Sequence, residues 1–449
     1  MTLQEQLTAF IAWWQANITG DEKSEAQIFT DKLMQAFGHE GAIEAGGSYE
    51  YRIKQPRNNK DTTTYADYVL PRVILLEMKK RGENLADHYR QIEDYWKALT
   101  DARPRYALLC NFDEIWIYDF NIQFYDPVDR VAITELIERK DALEFLVKGS
   151  NKTPVFQNNL IEVTKEAAFR LSQVFQSLEK HDDVDNETAQ RYVLQCMLAM
   201  YAEDSDLLPS PMFTRVVEDC MAGNDNSYDL ITAMFTMMNM PGKKAAGRFY
   251  GMDYFNGGIF KRIYPIALSK IELKQLRDAT RENWSKVKPA IFGAVFEDSL
   301  TEDARHKIGA HFTSEQDIKR VIDPVIVDPW LIAIDAAETV DDLLALHKKL
   351  CEYIVLDPAC GSGNFLYIAY IEVKSLEAQL LAKLIEKGGK LPKKRRVTVK
   401  QFYGYDINEF AVELAKVTLM IAKQEAVLRT HSDESALPLD NMDDNILCV

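Results

Sequence analysis

Between Ser24 and Phe37 the apolar residues Ala26, Phe29, Leu33 and Phe37 recur three and four positions apart, which places them on one face of a helix. The near-continuous apolar run from Val73 to Met78 predicts a buried strand, and Tyr106–Asn111 with Glu114–Asp119 predicts a hairpin. The polar stretch from Gly149 to Pro154 reads as a linker. From Val155 to Val287 helical patterns dominate, interrupted at Pro209, Pro211, Pro241 and the turn Asn256-Gly257-Gly258. Beyond Lys288 the pattern changes again. An apolar strand ends at Asp357 and feeds a small-residue turn and a helix; a second, Phe402–Asp406, ends in an acid before a helical run from Glu409 to about Leu428. No internal repeat or extended low-complexity tract interrupts this order.

A length of 449 residues implies two to four domains, each able to bury its own core. An apolar content of 47% and a charged content of 27% are those of an ordinary soluble protein. The six cysteines are scattered, with no C-x-x-C and no Cys/His cluster, which argues for a reducing cytosol and against zinc or a disulfide framework. The first residues lack a basic n-region and a small-residue cleavage site, and no apolar run nears the roughly 20 residues that span a bilayer. A cytoplasmic protein without membrane partners is expected. The net charge of −16 argues against a nucleic-acid partner only weakly. Screening acts over roughly 8 Å, so the charge along a groove matters more than the total. The acid-free run Lys387–Lys400 could meet a phosphate backbone or be a solvated loop.

The segment Ile354–Phe365, I-V-L-D-P-A-C-G-S-G-N-F, has the build of a nucleotide-type cofactor site at the carboxyl end of a parallel strand. Gly361 and Gly363 let the backbone bend and approach a ligand. The spacing is not G-x-G-x-x-G, and no Lys-Ser/Thr pair follows as in a P-loop. The nonapeptide Asp357–Phe365 resembles the S-adenosylmethionine motif of amino-group DNA methyltransferases. That resemblance implies cofactor contacts at Asp357, Pro358, Ala359, Gly361, Gly363, Asn364 and Phe365. Asp406, ending the second strand, sits where an acid accepts hydrogen bonds from ribose hydroxyls, with Ile407 beside it; it could equally cap the next helix. Ile308–Ser314, including Thr313, resembles the segment that closes over the methionine end of the cofactor.

A second chemistry is written into the first part. Asp67 is expected near the start of one strand, and Glu77 and Lys79 at the end of the next, with Pro71-Arg72 turning the chain between them. Residues two apart on a strand share a face, so Glu77 and Lys79 project together toward Asp67. Two carboxylates so placed can hold Mg²⁺, and the metal with a nearby lysine favours hydroxide beside a phosphodiester. This Asp…Glu-x-Lys arrangement resembles the core of the PD-(D/E)xK nuclease superfamily. By that resemblance Glu25 is a further metal ligand, and Gln91 with Tyr95 is similar to a Gln-x-x-x-Tyr helix of some members. E-x-K strings also occur at strand ends as plain solvated charges.

The order of parts resembles the single-chain type IIL restriction–modification proteins, within the wider type IIG class. Asp253–Phe260, Trp284–Phe296 and Leu437–Ile446 fit the same family. The resemblance implies an α/β multidomain chain: a PD-(D/E)xK-like endonuclease domain over 1–150, an α-helical connector over 155–287, and part of a Rossmann-like class I, gamma-class N6-adenine methyltransferase domain over 288–449. It implies S-adenosylmethionine and Mg²⁺ as cofactors and double-stranded DNA as partner. The sequence departs in one respect: it contains no Pro-Pro pair, so the Asn-Pro-Pro-aromatic loop that holds the target base is not in it. The expectation is an N-terminal portion of a longer protein, inactive alone in methyl transfer. Two alternatives are a solitary methyltransferase with a degenerate nuclease domain and a non-enzymatic DNA-binding or assembly subunit.

Overall fold

Two capped helices open the chain. In α1 (Leu3–Asn17) the Thr2 hydroxyl accepts from Glu5 N while the Glu5 carboxylate accepts from Thr2 N, a capping box. Asp21 caps α2 (Glu22–Ala36) by accepting from Ser24 N. The structure, a computed structural model, describes residues 2–449 other than 58–59, 102, 159, 210, 245, 256–258, 288–314, 393–395 and 430–441. These form two compact units, Met1–Leu160 and Ile161–Val449.

In the first unit a six-stranded sheet runs in sequence order through β1 (Ser48–Arg57), β2 (Lys60–Leu70), β3 (Ile74–Met78), β4 (Tyr106–Cys110), β5 (Glu114–Tyr118) and β6 (Asp129–Ala132). All neighbours are antiparallel except β3 and β4, whose parallel pairing needs a crossover. That crossover carries α3 (Tyr89–Ala98). Leu7 and Phe10 of α1 and Phe29, Leu33 and Met34 of α2 pack with Tyr68, Leu70, Ile74, Leu76 and Met78 into one core. The strand from Val73, the hairpin of β4 and β5, and the helix around Ala26–Phe37 thus form close to their expected bounds. Asp67, however, lies well inside a β2 that begins at Lys60 rather than near a strand start.

The second unit begins with helices: α4 (Leu160–Leu178), α5 (Asn186–Asp204), α6 (Met212–Ala222), α7 (Ser227–Asn239) and α8 (Lys270–Ala279). Trp284 is fully buried beyond them, its indole donating to Ala279 O. Then come α9 (Glu315–Ile322), a π turn at Asp323–Val327, α10 (Asp328–Ala336) and α11 (Val340–Leu350). Three parallel strands follow, β7 (Val355–Asp357), β8 (Phe402–Asp406) and β9 (Ile446–Cys448), in the order β7-β8-β9. They are linked by α12 (Asn364–Glu386) and α13 (Glu409–Arg429). Helix α12 is apolar around most of its girth and buries Leu366, Tyr370, Val373, Leu376 and Leu380. Parts of the family-like strings Asp253–Phe260, Trp284–Phe296 and Leu437–Ile446 lie outside the described residues.

Phe29 is fully buried, with the rings of Phe10 and Phe112 tilted edge-on to it at 5.6 and 5.3 Å. Truncating such a ring forfeits its transfer energy and leaves a void. Phe29→Ala is therefore expected to cost about 3–5 kcal/mol in urea unfolding of the first unit. A loss well under that range would show that α2 is not held to the sheet by this ring.

Candidate functional site

The β2–β3 register pairs Tyr68 with Leu76 and Val69 with Leu75, and one step further it sets Asp67 across from Glu77. Asp67 Oδ2 accepts from Met78 N at 2.6 Å, which fixes the carboxylate against the neighbouring strand. Lys79 Nζ lies 2.9 Å from Glu77 Oε1, and both side chains are buried. From α3, Gln91 Nε2 donates to the same Glu77 oxygen at 2.7 Å and to Tyr95 Oη at 3.1 Å. Among the described residues, Glu77 Oε2 is buried and meets no hydrogen-bond partner. Asp67, Glu77, Lys79 and Gln91 are thus brought together.

Glu25 is not in this group. Its carboxylate accepts from the backbone N–H groups of Thr19, Gly20 and Asp21 and from the Thr19 hydroxyl, so it closes the N-terminus of α2. Glu22, one turn earlier on α2, lines a cleft of about 190 Å³ together with Asp67, Tyr49 and Glu50. Sequence reasoning missed it: Glu25 is the fourth residue of α2, outside the capping-box position, and nothing in the local pattern marks its carboxylate as the one that turns back to the backbone. Glu50, the β1 residue facing Asp67, has a left-handed backbone (φ 48°) that any side chain but glycine adopts at a cost.

Burial, reinforced by the charge of Asp67, pushes the Glu77 carboxyl from its ordinary 4.5 up to about 7 against the pull of Lys79. Burial also raises Asp67. Desolvation works against the Lys79 ammonium, but Glu77, with Glu22 and Asp67, outweighs it and holds the lysine above its usual value. The site therefore has more carboxylate than cation to balance it. A bare, unpartnered carboxylate oxygen beside a second acid fits a hard divalent ion.

In the second unit, the turn after β7 is shaped by its glycines. Gly361 has φ +51°, and a Cβ there would meet only open space. Gly363 has φ +85°, and a Cβ there would come within 2.9 Å of Ala415 Cα, so only glycine lets α12 start this close to α13. Asp357 Oδ1 accepts from Ala359 N at 3.1 Å. Burial, with the nearby Asp406 charge, raises its carboxyl despite that bond. Asp406 Oδ2 accepts from Gly361 N at 2.9 Å and Oδ1 from Asn408 N at 2.9 Å, so one acid pins both turns. Pro358, Ala359 and Ile407 are exposed at this mouth, while Asn364 and Phe365 begin α12 half-buried. Thr313 lies outside the described residues. The open glycine turn and the two acids at adjacent strand ends fit a nucleoside ligand bearing hydroxyl donors. Next to Asn408 a cavity of about 200 Å³ is lined by Glu187, Arg191 and Leu194 of α5 and by Phe410 and Glu413 of α13.

Comparison with known proteins places the chain among DNA-methyltransferase and restriction–modification proteins. A protein from Bacillus subtilis described as DNA methyltransferase A is 26% identical over 391 residues, which cover 80% of this chain and 43% of that one. A putative type II restriction enzyme and methyltransferase from Methanocaldococcus jannaschii is 24% identical over 303 residues, covering 55% of this chain and 26% of that one. Among solved structures, the type IIL restriction–modification enzyme MmeI in complex with DNA superposes with a TM-score of 0.54 at 27% identity, over 61% of this chain and 38% of that one. Residues 2–181 match the MmeI N-terminal domain, 187–260 the MmeI helicase spacer domain and 334–449 the MmeI DNA-methyltransferase domain. The chain belongs to the type IIL restriction–modification family. It spans less than half the length of these relatives. Among its described residues no helix is long and apolar enough to cross a membrane.

The raised Glu77 carboxyl fixes the sign of a pH effect. A group whose pKa is higher folded than unfolded contributes stability that is complete below the unfolded value and lost as pH rises through the folded one. Without divalent ions, the urea midpoint of the first unit should fall between about pH 4.5 and about pH 7. Glu77→Gln should flatten that slope, and millimolar Mg²⁺ should restore the wild-type midpoint at the upper end. An unchanged slope in Glu77→Gln would show that this carboxylate is not the titrating group.

Proposed function

We propose that this chain is the nuclease and cofactor-binding portion of a bifunctional restriction–modification enzyme that methylates N6 of adenine in double-stranded DNA using S-adenosylmethionine and cleaves DNA with Mg²⁺. In this reading residues 1–150 are a PD-(D/E)xK-like endonuclease domain, 155–287 a helical connector, and 288–449 part of a Rossmann-like methyltransferase domain. The observation that carries it is the buried, unpartnered Glu77 Oε2 beside Asp67 and Lys79, in a chain that also carries a glycine turn between two acid-ended parallel strands.

Asp67 and Glu77 would hold Mg²⁺, with Glu22 rather than Glu25 as the third acid facing the cleft. When bound, the ion supplies charge stabilisation at the phosphate and lowers the pKa of water. Lys79 and Gln91 do the orienting: they fix Glu77 Oε1 and leave Oε2 turned to the ion. Lys79, its ammonium held above its usual value by the surrounding acids, would align water or phosphate as a donor. In the second unit Gly361 and Gly363 leave room for the cofactor, which supplies the methyl group, and Asp406 accepts from its ribose. The name of the Bacillus subtilis relative favours a second reading, a methyltransferase that does not cut. Mg²⁺-dependent nicking of plasmid DNA by the purified chain separates the two.

Lys79→Ala should abolish that nicking. Because it leaves the buried Glu77 carboxylate without its ion-pair partner, it should also cost on the order of 3–5 kcal/mol in urea unfolding at neutral pH, with the fold of the variant checked by circular dichroism. Cutting that persists in the variant rules Lys79 out of the reaction. Glu22→Gln should weaken Mg²⁺ dependence more than Glu25→Gln does. Equal effects of the two would return Glu25 to the site.

Asp406→Ala removes an ionised acceptor, an interaction worth roughly 1.5–3 kcal/mol. Calorimetry should then show S-adenosylmethionine binding weakened on the order of tenfold or more. Equal affinities for wild type and variant would contradict the ribose role.

A further inference from the structure

Neither proposed chemistry uses a cluster that the fold assembles near the C-terminal end of α11. His347 and Cys351 stand one helical turn apart, so their side chains leave the same side of the helix. Glu377 of α12 completes the group. His347 Nε2 lies 3.2 Å from Glu377 Oε1 and 3.6 Å from Cys351 Sγ. His347 and Glu377 are each 2% exposed, and Cys351 is half-buried. Among the described residues this is the one set of three histidine, cysteine or acidic side chains whose donor atoms all lie within 4.8 Å of one another. In the sequence the cysteines look scattered; only the packing of α11 on α12 brings thiol, imidazole and carboxylate together.

We propose that His347, Cys351 and Glu377 bind a zinc ion, with the fourth position open to water beside Cys351. The separations fit such an ion. With metal–nitrogen and metal–sulfur bonds of about 2.0–2.1 and 2.3 Å at tetrahedral angles, the nitrogen and sulfur stand about 3.6 Å apart, and nitrogen and carboxylate oxygen about 3.3 Å apart. The donors are also selective. A thiolate with an imidazole suits zinc and excludes Mg²⁺ and Ca²⁺, which take oxygen ligands. An outer shell is in place: Lys374 Nζ donates to Glu377 Oε2 at 2.8 Å and Val397 N to Oε1 at 3.0 Å, so the carboxylate cannot swing away. Lys374 also balances one of the two negative charges that thiolate and carboxylate bring to the buried site. Cys351, the least buried of the three, marks the side from which an ion would enter. His347 and Cys351 stand just before β7, and Glu377 lies in the helix that follows the Asp357–Gly363 turn. The ion would therefore clamp the two chain segments flanking that turn, a structural role independent of the nuclease and methyltransferase assignments.

The test is metal analysis and cobalt substitution of the purified chain. Elemental analysis should find close to stoichiometric zinc after chelator-free purification, or after zinc addition and desalting. Replacement by Co²⁺ should produce a thiolate-to-cobalt charge-transfer band in the near ultraviolet. Cys351→Ala and His347→Gln should remove that band and weaken zinc binding by more than the roughly 10–100-fold typical of losing an outer-shell partner. Cys448→Ser should keep it. Chelation should lower the melting temperature of the wild-type chain, a readout that stands even if a variant fails to fold. Wild-type protein that takes up no stoichiometric zinc, or a cobalt band that survives in Cys351→Ala, overturns the proposal and leaves the group as a buried histidine–glutamate–lysine hydrogen-bond network.

Discussion

Glu77 is a carboxylate taken out of water on a strand whose neighbours are almost wholly apolar, and much of the first unit is arranged around that cost. An ionised acid in such a place needs compensation, and only part of it is present. Lys79 and Gln91 satisfy one oxygen, and the other is left bare. The parallel step from β3 to β4 is what makes this possible. It forces a crossover, and the crossover helix delivers Gln91 and Tyr95 to the strand from which Glu77 projects. The helical layer on α1 and α2 then closes the core and presents Glu22 to the cleft. In the second unit the same problem recurs in milder form. Asp357 is raised by burial at the end of β7, and Asp406 spends its acceptors on the turns that surround it.

Much of this was legible in the chain itself, because the signals were local. A turn at Pro71-Arg72 and two-residue periodicity suffice to aim Glu77 and Lys79 at Asp67, and a strand, acid and glycine turn suffice to locate the mouth after β7. Two things were not legible. The length of β2 was hidden because its first half, Lys-Asp-Thr-Thr-Thr, is polar and carries no burial signal; only pairing with β1 makes it a strand. Glu25 stays out of the cluster because the N-terminus of α2 claims its carboxylate. That depends on the path of Thr19–Asp21, which hydrophobic periodicity does not encode. The gathering of Glu377 with His347 and Cys351 escaped for a related reason: the last two are four apart on one helix, but the carboxylate reaches them from another helix, and that contact leaves no spacing in the sequence.

The turn after β7 owes its fit to one more atom. Cys360 is 5% exposed, and its sulfur packs so close to β8 that a Cβ on Gly404 would come within 2.9 Å of it. Burial, with Asp357 and Asp406 nearby, pushes its thiol up to about 12. Since the thiolate is the form that oxidants and electrophiles attack, burial and the two neighbouring acids work against reactivity here. What the packing displays is the sulfur's size: Cys360 stands as a spacer between turn and strand, and Gly404 is the residue that leaves room for it.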